Sequence, residues 1–401
     1  MPWKELQIMD QRKDFILKAF DPNANFSRLC SEFCISTKTG YKWKQRFKED
    51  GVKGLYDQSK RPHSSPSRAS EDDICEIIRI KNEKPAWGSR KIHRIFLNNH
   101  KEQRSNISRS TVDRILKKAG LVIKSRRRRH YSPERLKNRF IPVAPNDLWT
   151  VDFKGYWYAA NHEKCEPLTV RDDFSQYILS IKILEKGDIS SVKREFEELF
   201  KKYGLPKAIR SDNGPPFAHH AAVLGLTKLS AWWLSLGIIL DRIDPGKPAQ
   251  NGSHERMHRD MKAELQGKID GNLKLHQAIF DEWKHEFNFV RPHDALDLKC
   301  PADVYKKSKQ KFLGTIYDIE YPNGFCSRRI NNRGVLMYQS KRIFISNAFC
   351  GYNLGIKKED ADNADVWLNS FPIGKIDLKT FVFTSIMPKI RTVKSISLPI
   401  S

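Results

Sequence analysis

Asp152, Asp212 and Glu255 are the side chains of this 401-residue chain whose types and settings could support chemistry. Asp152 lies in the apolar run LWTVDF, residues 148–153. Strand period there puts Leu148, Thr150 and Asp152 on one face and Trp149, Val151 and Phe153 on the other. A carboxylate in a central strand needs either a metal ion or a buried Arg or Lys beside it. Asp212 follows the strand-like residues 207–211 and opens the turn Asp212-Asn213-Gly214, where it serves as a ligand or as an ordinary turn aspartate. Glu255 sits at the start of a helix, after a loop rich in Gly and Pro, in GKPAQNGSHERMHRDMKAEL; Ser253 is the expected cap. Glu255, Arg259 and Lys262 fall at i, i+4 and i+7, within roughly 60° of one another at about 100° per residue. Met257, Met261 and Leu265 form a separate stripe toward the core. One acid beside two cations suits metal ions next to a DNA phosphate; it also suits a surface Glu255–Arg259 pair.

Two other patterns compete for attention. His254-Glu255-Arg256-Met257-His258 matches H-E-x-x-H, the zinc-protease signature, but a protease needs a third ligand and a peptide cleft. The two histidines are expected to flank the core stripe or touch DNA. Asp172 and Asp173 form a carboxylate pair at a strand end, for which the turn before Phe174-Ser175 is the expected use.

The charge shows where a polyanion would bind. Lys and Arg number 72 against 47 Asp and Glu, a net +25, and residues 1–140 hold 34 of those cations against 16 of the acids. Phosphate contacts need local charge, so this asymmetry points to a nucleic-acid-gripping N-terminal part joined to a more neutral remainder. Hydrophobic residues at 39% exclude a disordered basic tail. The seven cysteines include no C-x-x-C pair and read as thiols in a reducing compartment. With no secretory signal, and with the apolar stretch 231–240 only about half a membrane span, a soluble intracellular protein without a membrane partner is expected.

The elements that must position these groups change character along the chain. Residues 10–50 read as helices, with Ser27 expected to cap a short one. After a break at Cys34-Ile35-Ser36 comes TKTGYKWKQRFKED, whose Tyr41, Lys42, Lys44, Gln45 and Arg46 could meet DNA. This is helix-turn-helix order, and it is equally the order of a plain basic hairpin. The pattern returns after an extended linker at 57–70: a helix over 72–82, one at 87–96 capped by Ser89, and one at 107–121 capped by Ser108. Ser110, Thr111 and Arg114 stand where a recognition helix touches bases. The basic stretch 124–140, with Arg126, Arg127, Arg128 and Arg129, suits a phosphate backbone or a nuclear-import signal. From 145 onward, three strands and then alternating helices and strands predict an α/β layer. Beyond 310, GTIYDIEY, RRINNRGVLMYQSKRIFIS and DVWLNSF alternate at strand period and predict a small β domain.

Together the strings LWTVDFKGYW, IRSDNGPPF, PGKPAQNGSHERMHRDMK and FNFVRPHDALDLKCPADVY resemble those of bacterial insertion-sequence DDE transposases, which share a ribonuclease H-like core with retroviral integrases. The resemblance covers essentially the whole chain. It implies helix-turn-helix DNA-binding domains at 1–56 and 71–122, linkers at 57–70 and 123–144, a ribonuclease H-like α/β catalytic core at 145–308, and a small C-terminal β-barrel-like domain with a tail at 309–401. By this resemblance Asp152, Asp212 and Glu255 are the catalytic metal-binding triad for two Mg²⁺ ions, with Mn²⁺ as a substitute, and Arg259 and Lys262 hold the DNA backbone. The implied partners are double-stranded DNA, as terminal inverted repeats and target, and at least one further copy of the chain. The implied location is the bacterial cytoplasm, at the nucleoid. Glu255 follows Asp212 by 43 positions, a longer spacing than in many relatives, which residues 219–235 could absorb. The retroviral His/Cys zinc module is missing from the N-terminal sequence. A transposase-derived DNA-binding regulator that no longer cuts is the alternative.

Overall fold

The computed structural model describes residues 8–58, 69–100, 107–122 and 140–385, except 160, 185, 220–221, 245–247 and 266–270. The basic stretch bearing Arg126, Arg127, Arg128 and Arg129 lies outside the described residues. Two compact units result, Met1–Arg68 and Ala69–Ser401.

The first unit holds helices α1 (Ile8–Ala19), α2 (Phe26–Glu32) and α3 (Thr37–Asp50) around Phe15, Ile16, Leu29, Cys30, Trp43 and Leu55. The cap of α2 is Asn25 rather than Ser27: its side chain accepts from the Arg28 amide, and Ser27 falls inside the first turn. Ser36 caps α3 by accepting from the Thr39 amide. Gly40 faces the packed side of α3, where a Cβ would come within 2.6 Å of Cys30 Sγ.

In the second unit α4 (Glu71–Glu83), α5 (Ser89–Asn99) and α6 (Arg109–Lys118) enclose Ile77, Ile80, Trp87, Ile92, Phe96, Val112 and Leu116. Ser108 caps α6 as expected, while α5 begins at Ser89 itself with Gly88 at the cap. A five-stranded sheet follows, in the order β5-β4-β1-β6-β7. Its strands are β1 (Leu148–Phe153), β4 (Pro167–Asp172), β5 (Ile178–Ile183), β6 (Ala208–Ser211) and β7 (Ile239–Arg242). β1, β4 and β5 pair antiparallel, whereas β6 and β7 run parallel to β1, a ribonuclease H-like arrangement. A short ribbon, β2 (Trp157–Tyr158) and β3 (Lys164–Cys165), leaves the end of β1.

One face of the sheet packs on α7 (Ile189–Tyr203) and α8 (Lys228–Ser235) through Trp149, Val151, Phe196, Phe200, Trp232 and Trp233. A second core gathers Ile178 and Ile181 of β5 with α9 (Gly252–Leu265) and α10 (Leu273–Phe289); a short helix, α11 (Pro301–Val304), follows. Alternation along β1 thus separates two layers, as its apolar pattern requires.

The C-terminal part is an open antiparallel sheet, β14-β13-β12-β11-β8, and a separate β9-β10 hairpin. These strands are β8 (Phe325–Arg329), β9 (Val335–Tyr338), β10 (Lys341–Phe344), β11 (Asn353–Lys358), β12 (Asn363–Leu368), β13 (Phe371–Asp377) and β14 (Phe383–Ser385). The barrel-like expectation is corrected: among the described residues β8 and β14 are edges, and their sheet is not closed. GTIYDIEY, expected as a strand, joins no sheet. Its aromatic side chains act as struts instead, with the Tyr321 hydroxyl 3.0 Å from the carbonyl oxygens of both Asn353 and Trp367, to which it can donate its one proton. The C-terminal sheet shares the first core's apolar interior, and Asn369 Nδ2 donates to the Ser235 carbonyl at 2.9 Å.

Candidate active site

Asp152 is the fifth residue of the central strand β1. β1 and β6 pair in parallel register with Leu148 opposite Ala208 and Thr150 opposite Arg210, so the same offset sets Asp152 level with Asp212 just beyond the end of β6. Asp212 also makes its turn, with the Gly214 amide donating to its Oδ1 at 3.2 Å, so both uses of this residue coexist. Glu255 is exposed in the first turn of α9.

Asp152 senses the other two acids. Burial pushes the Asp152 carboxyl up to about 7, with the charges of Asp212 and Glu255 adding to that rise. Asp212 is likewise raised by burial. Among the described residues no group of three or more His, Cys, Asp and Glu side chains stands close enough to hold a metal ion. The acids form one electrostatic cluster rather than a finished ligand cage. The donor set still fits a hard divalent cation, since carboxylate oxygens with uncompensated mutual repulsion gain most from one.

α9 is held to the sheet by a histidine–threonine network that the sequence reading missed. The Thr169 hydroxyl donates to the Asp152 carbonyl at 2.8 Å, so it must accept from Nε2 of His254 at 2.7 Å and Nε2 of His258 at 2.8 Å. His254 Nδ1 then accepts from the Thr150 hydroxyl at 2.8 Å. Burial keeps His254 well below the usual imidazole range and His258 down at about 3, so both rings are neutral. The Nδ1 lone pair of His258 therefore faces Asp152 Oδ2 at 3.9 Å without a proton of its own. The two imidazoles of the H-E-x-x-H match lie in the interior beside the core stripe, one of the two placements expected for them, where sheet hydroxyls engage them.

Ser253 does not cap α9; its hydroxyl donates to Asp173 Oδ1 at 2.6 Å. Buried Arg171 donates to the Ser253 carbonyl at 2.8 Å and so fixes the helix start next to Glu255. Asp172 takes the expected turn role, accepting from the amide and hydroxyl of Ser175. Met257, Met261 and Leu265 face the core as expected, while Arg259 and Lys262 are exposed on the side of Glu255. Glu255 and Arg259 form no ion pair with each other among those recorded for the described residues, which leaves both open to a ligand. Lys154, which the sequence reading did not single out, is held below the usual lysine range by burial, and then by Lys262; Asp152 acts on it in the opposite sense. Two cations therefore lie within electrostatic reach of each other beside the acids.

The helical candidates differ in how free they are. On α3, Tyr41, Lys42 and Gln45 are exposed. Lys44 donates to the Ala19 carbonyl at 2.6 Å and lies over the rings of Phe20 and Phe26, so its charge is used within the unit. Arg46 donates to Gln58 at 2.7 Å and stacks over Trp43. On α6, Ser110 and Arg114 are exposed, and Arg114 donates to the half-buried Thr111 hydroxyl at 3.2 Å.

Known proteins share these parts. Residues 11–63 match a helix-turn-helix domain and 39–116 a homeodomain-like domain, while 142–248 and 236–301 match the integrase core domain. The chain is 26% identical over 249 residues to the uncharacterized 31.7 kDa protein of insertion element IS407 from Burkholderia multivorans, spanning 61% of this chain and 85% of that one. It is 24% identical over 250 residues to the uncharacterized 39.2 kDa protein of insertion element IS476 from Xanthomonas euvesicatoria, spanning 62% and 69%. Among solved structures, the HTLV-2 integrase catalytic core domain in complex with magnesium matches 41% of this chain and 99% of its own, at 20% identity and a TM-score of 0.33. The matched domains define a helix-turn-helix protein with an integrase core. The two curated relatives named above both come from bacterial insertion elements.

Proposed function

We propose that the chain binds the terminal inverted repeats of its element through the helices of residues 1–140 and cuts and joins DNA through the acids of its core. The observation that carries this reading is the placement of Asp152 on β1 level with Asp212 just beyond the end of the adjacent parallel β6, with Glu255 on a helix fixed to β1 through His254 and to β4 through Arg171. Two Mg²⁺ ions, or Mn²⁺, held by Asp152, Asp212 and Glu255 would supply stabilisation of the charge that builds at phosphorus. The chain's own groups do the remainder. Arg259, Lys262 and Lys154 hold the DNA backbone beside the acids, and the threonine–histidine network keeps α9 from drifting. Tyr41, Lys42, Gln45, Ser110 and Arg114 read the element's ends. At least two copies act together, because two ends must meet; the work is done on nucleoid DNA in the cytoplasm.

The test incubates the full chain with Mg²⁺ and duplexes taken from the DNA on either side of its coding region. Wild type is expected to nick and join the end-containing duplex, and Asp152→Asn, Asp212→Asn and Glu255→Gln each to lose product by about 100-fold or more, as removal of a metal ligand implies. Binding without product from wild type overturns the cutting role in favour of a DNA-binding regulator. That second reading draws on one observation, the open spacing of the acids. Product from all three variants removes these residues from the chemistry.

A further inference from the structure

The ribbon that leaves β1 carries aromatic rings the interior does not use. Trp157 and Cys165 are paired across it and face inward: Cys165 is fully buried, and Trp157 packs edge-on to Phe280 at 6.0 Å. Alternation then turns Tyr158 and Lys164, the next pair, to the opposite side. Tyr156 and Tyr158 remain 60% and 63% exposed, with ring centroids 5.9 Å apart, on either side of an anchored tryptophan. A solvent-facing ribbon position has no packing reason to be tyrosine twice. Lys164 Nζ lies 4.6 Å over the Tyr156 ring and pairs with Glu166 at 2.6 Å, which steadies that ring while Tyr158 stays open.

The position of this pair adds to its meaning. Tyr156 follows Asp152 by four residues, and Lys154 stands between them, near Lys262. Cations suited to a phosphate backbone therefore adjoin rings suited to a base face, the combination by which proteins hold unpaired nucleotides. We propose that Tyr156 and Tyr158 form a stacking platform for an unpaired nucleobase at the DNA end brought to the acids. This rests on the DNA-cutting reading above and adds to it a preference for ends whose terminal pairs have opened.

The test measures affinity of the full chain, in EDTA, for two fluorescein-labelled duplexes of one mixed sequence, one blunt and one with a non-complementary, splayed end. Wild type is expected to bind the splayed duplex about fivefold or more tightly than the blunt one, the low end of what a stacked base contributes. Tyr156→Ala/Tyr158→Ala should bind both alike, at the blunt value, whereas Tyr156→Phe/Tyr158→Phe should keep the preference. If the double alanine variant misfolds by circular dichroism, Tyr158→Ser alone is expected to lower the preference. Equal binding of both duplexes by wild type, or an alanine variant that keeps the preference, overturns the platform and leaves the DNA-cutting reading standing. A drop in oligomeric mass with the preference intact also overturns it, by assigning the rings to a second copy of the chain. Failure of wild type to bind either duplex removes the DNA reading itself, and the platform with it.

Discussion

Each helix-turn-helix unit starts its last helix with a serine whose Oγ accepts from the amide three residues on: Ser36 from Thr39 and Ser108 from Thr111, both at 3.2 Å. In each the threonine hydroxyl lies beside the serine, at 2.9 and 3.1 Å. Each also packs a tryptophan, Trp43 or Trp87, into its small core. What differs is the reach of these contacts. Trp43 lies under the Arg12 guanidinium of its own unit at 4.0 Å. Trp87 donates through Nε1 to Glu264 of α9 at 3.2 Å, and Glu264 also accepts from Trp283 and Arg291. Lys84 pairs with Glu286 at 2.5 Å and Arg90 with Asp294 at 2.9 Å. The second helix-turn-helix unit is therefore tied to the helix that carries Glu255, so one local architecture occurs once within residues 1–68 and once built into the unit that holds the three acids.

The largest effect expected from this difference is on the tryptophans. Trp43→Ala and Trp87→Ala should each cost about 3–5 kcal/mol, as truncation of a buried aromatic does. Hydrogen exchange on the full chain should show the first confined to α1–α3. The second should spread from α4–α6 into α9 and α10 and lower DNA cutting even on ends already bound. Faster exchange limited to α4–α6 in Trp87→Ala would mean that the polar ties carry no mechanical coupling.

A smaller effect concerns pH. Burial, and then the neighbouring Arg291, pushes the Lys91 ammonium down to about 8. Its folded value lies below its unfolded one, so the unfolded chain holds more protons between about 8 and 10.5, and stability from this group rises with pH across that window. Below about 8 the cost of the buried charge is fully present. Because Lys91 keeps some exposure, about 1–2 kcal/mol is the expected size. Urea titrations at pH 7.5 and 9.5 should show wild type gaining on Lys91→Met, which lacks this dependence. A constant gap between them would show that Lys91 keeps its proton throughout, and would weaken the view of this interface as buried.

These interfaces also show what the sequence could reveal. Asp152 and Asp212 were legible because strand period and a turn signal are local, and the parallel register of β1 with β6 follows once the strands are placed. The Ser108 cap was legible for the same reason, while Ser36 was legible only as part of the break before α3. Asn25 and Gly88 were missed because a serine stands close by each, and only backbone geometry tells which residue lies outside the helix. His254 is placed beside the core stripe by its spacing, whereas its partners Thr150 and Thr169 lie 104 and 85 residues away. No local period reports such a contact. The tie from Trp87 to Glu264 spans 177 residues, so a chain that reads as separate reader and core is joined by side chains that look like surface residues. An open C-terminal sheet and a closed barrel share the same alternation, and only edge pairing separates them.

The smallest expected effect is also the finest probe of the comparison. Ser36→Ala and Ser108→Ala each remove one cap acceptor, a loss of about 1 kcal/mol for the helix concerned. In the first unit α3 supplies Trp43 to the core it shares with α1, α2 and Leu55, so fraying at Thr37 should loosen α1 and α2 as well and lower the unit's unfolding midpoint. In the second, Lys84, Trp87 and Arg90 hold α4 and α5 to the core independently of α6, so the loss should stop at the first turn of α6, near Ser110 and Thr111. Exchange rates measured helix by helix should therefore rise throughout residues 8–50 for Ser36→Ala, but only over about 109–112 for Ser108→Ala, with glycine at either site milder than alanine. Loosening of α4 and α5 by Ser108→Ala would show that the second reader folds as a free body, and the ties to α9 and α10 would then be contacts without consequence.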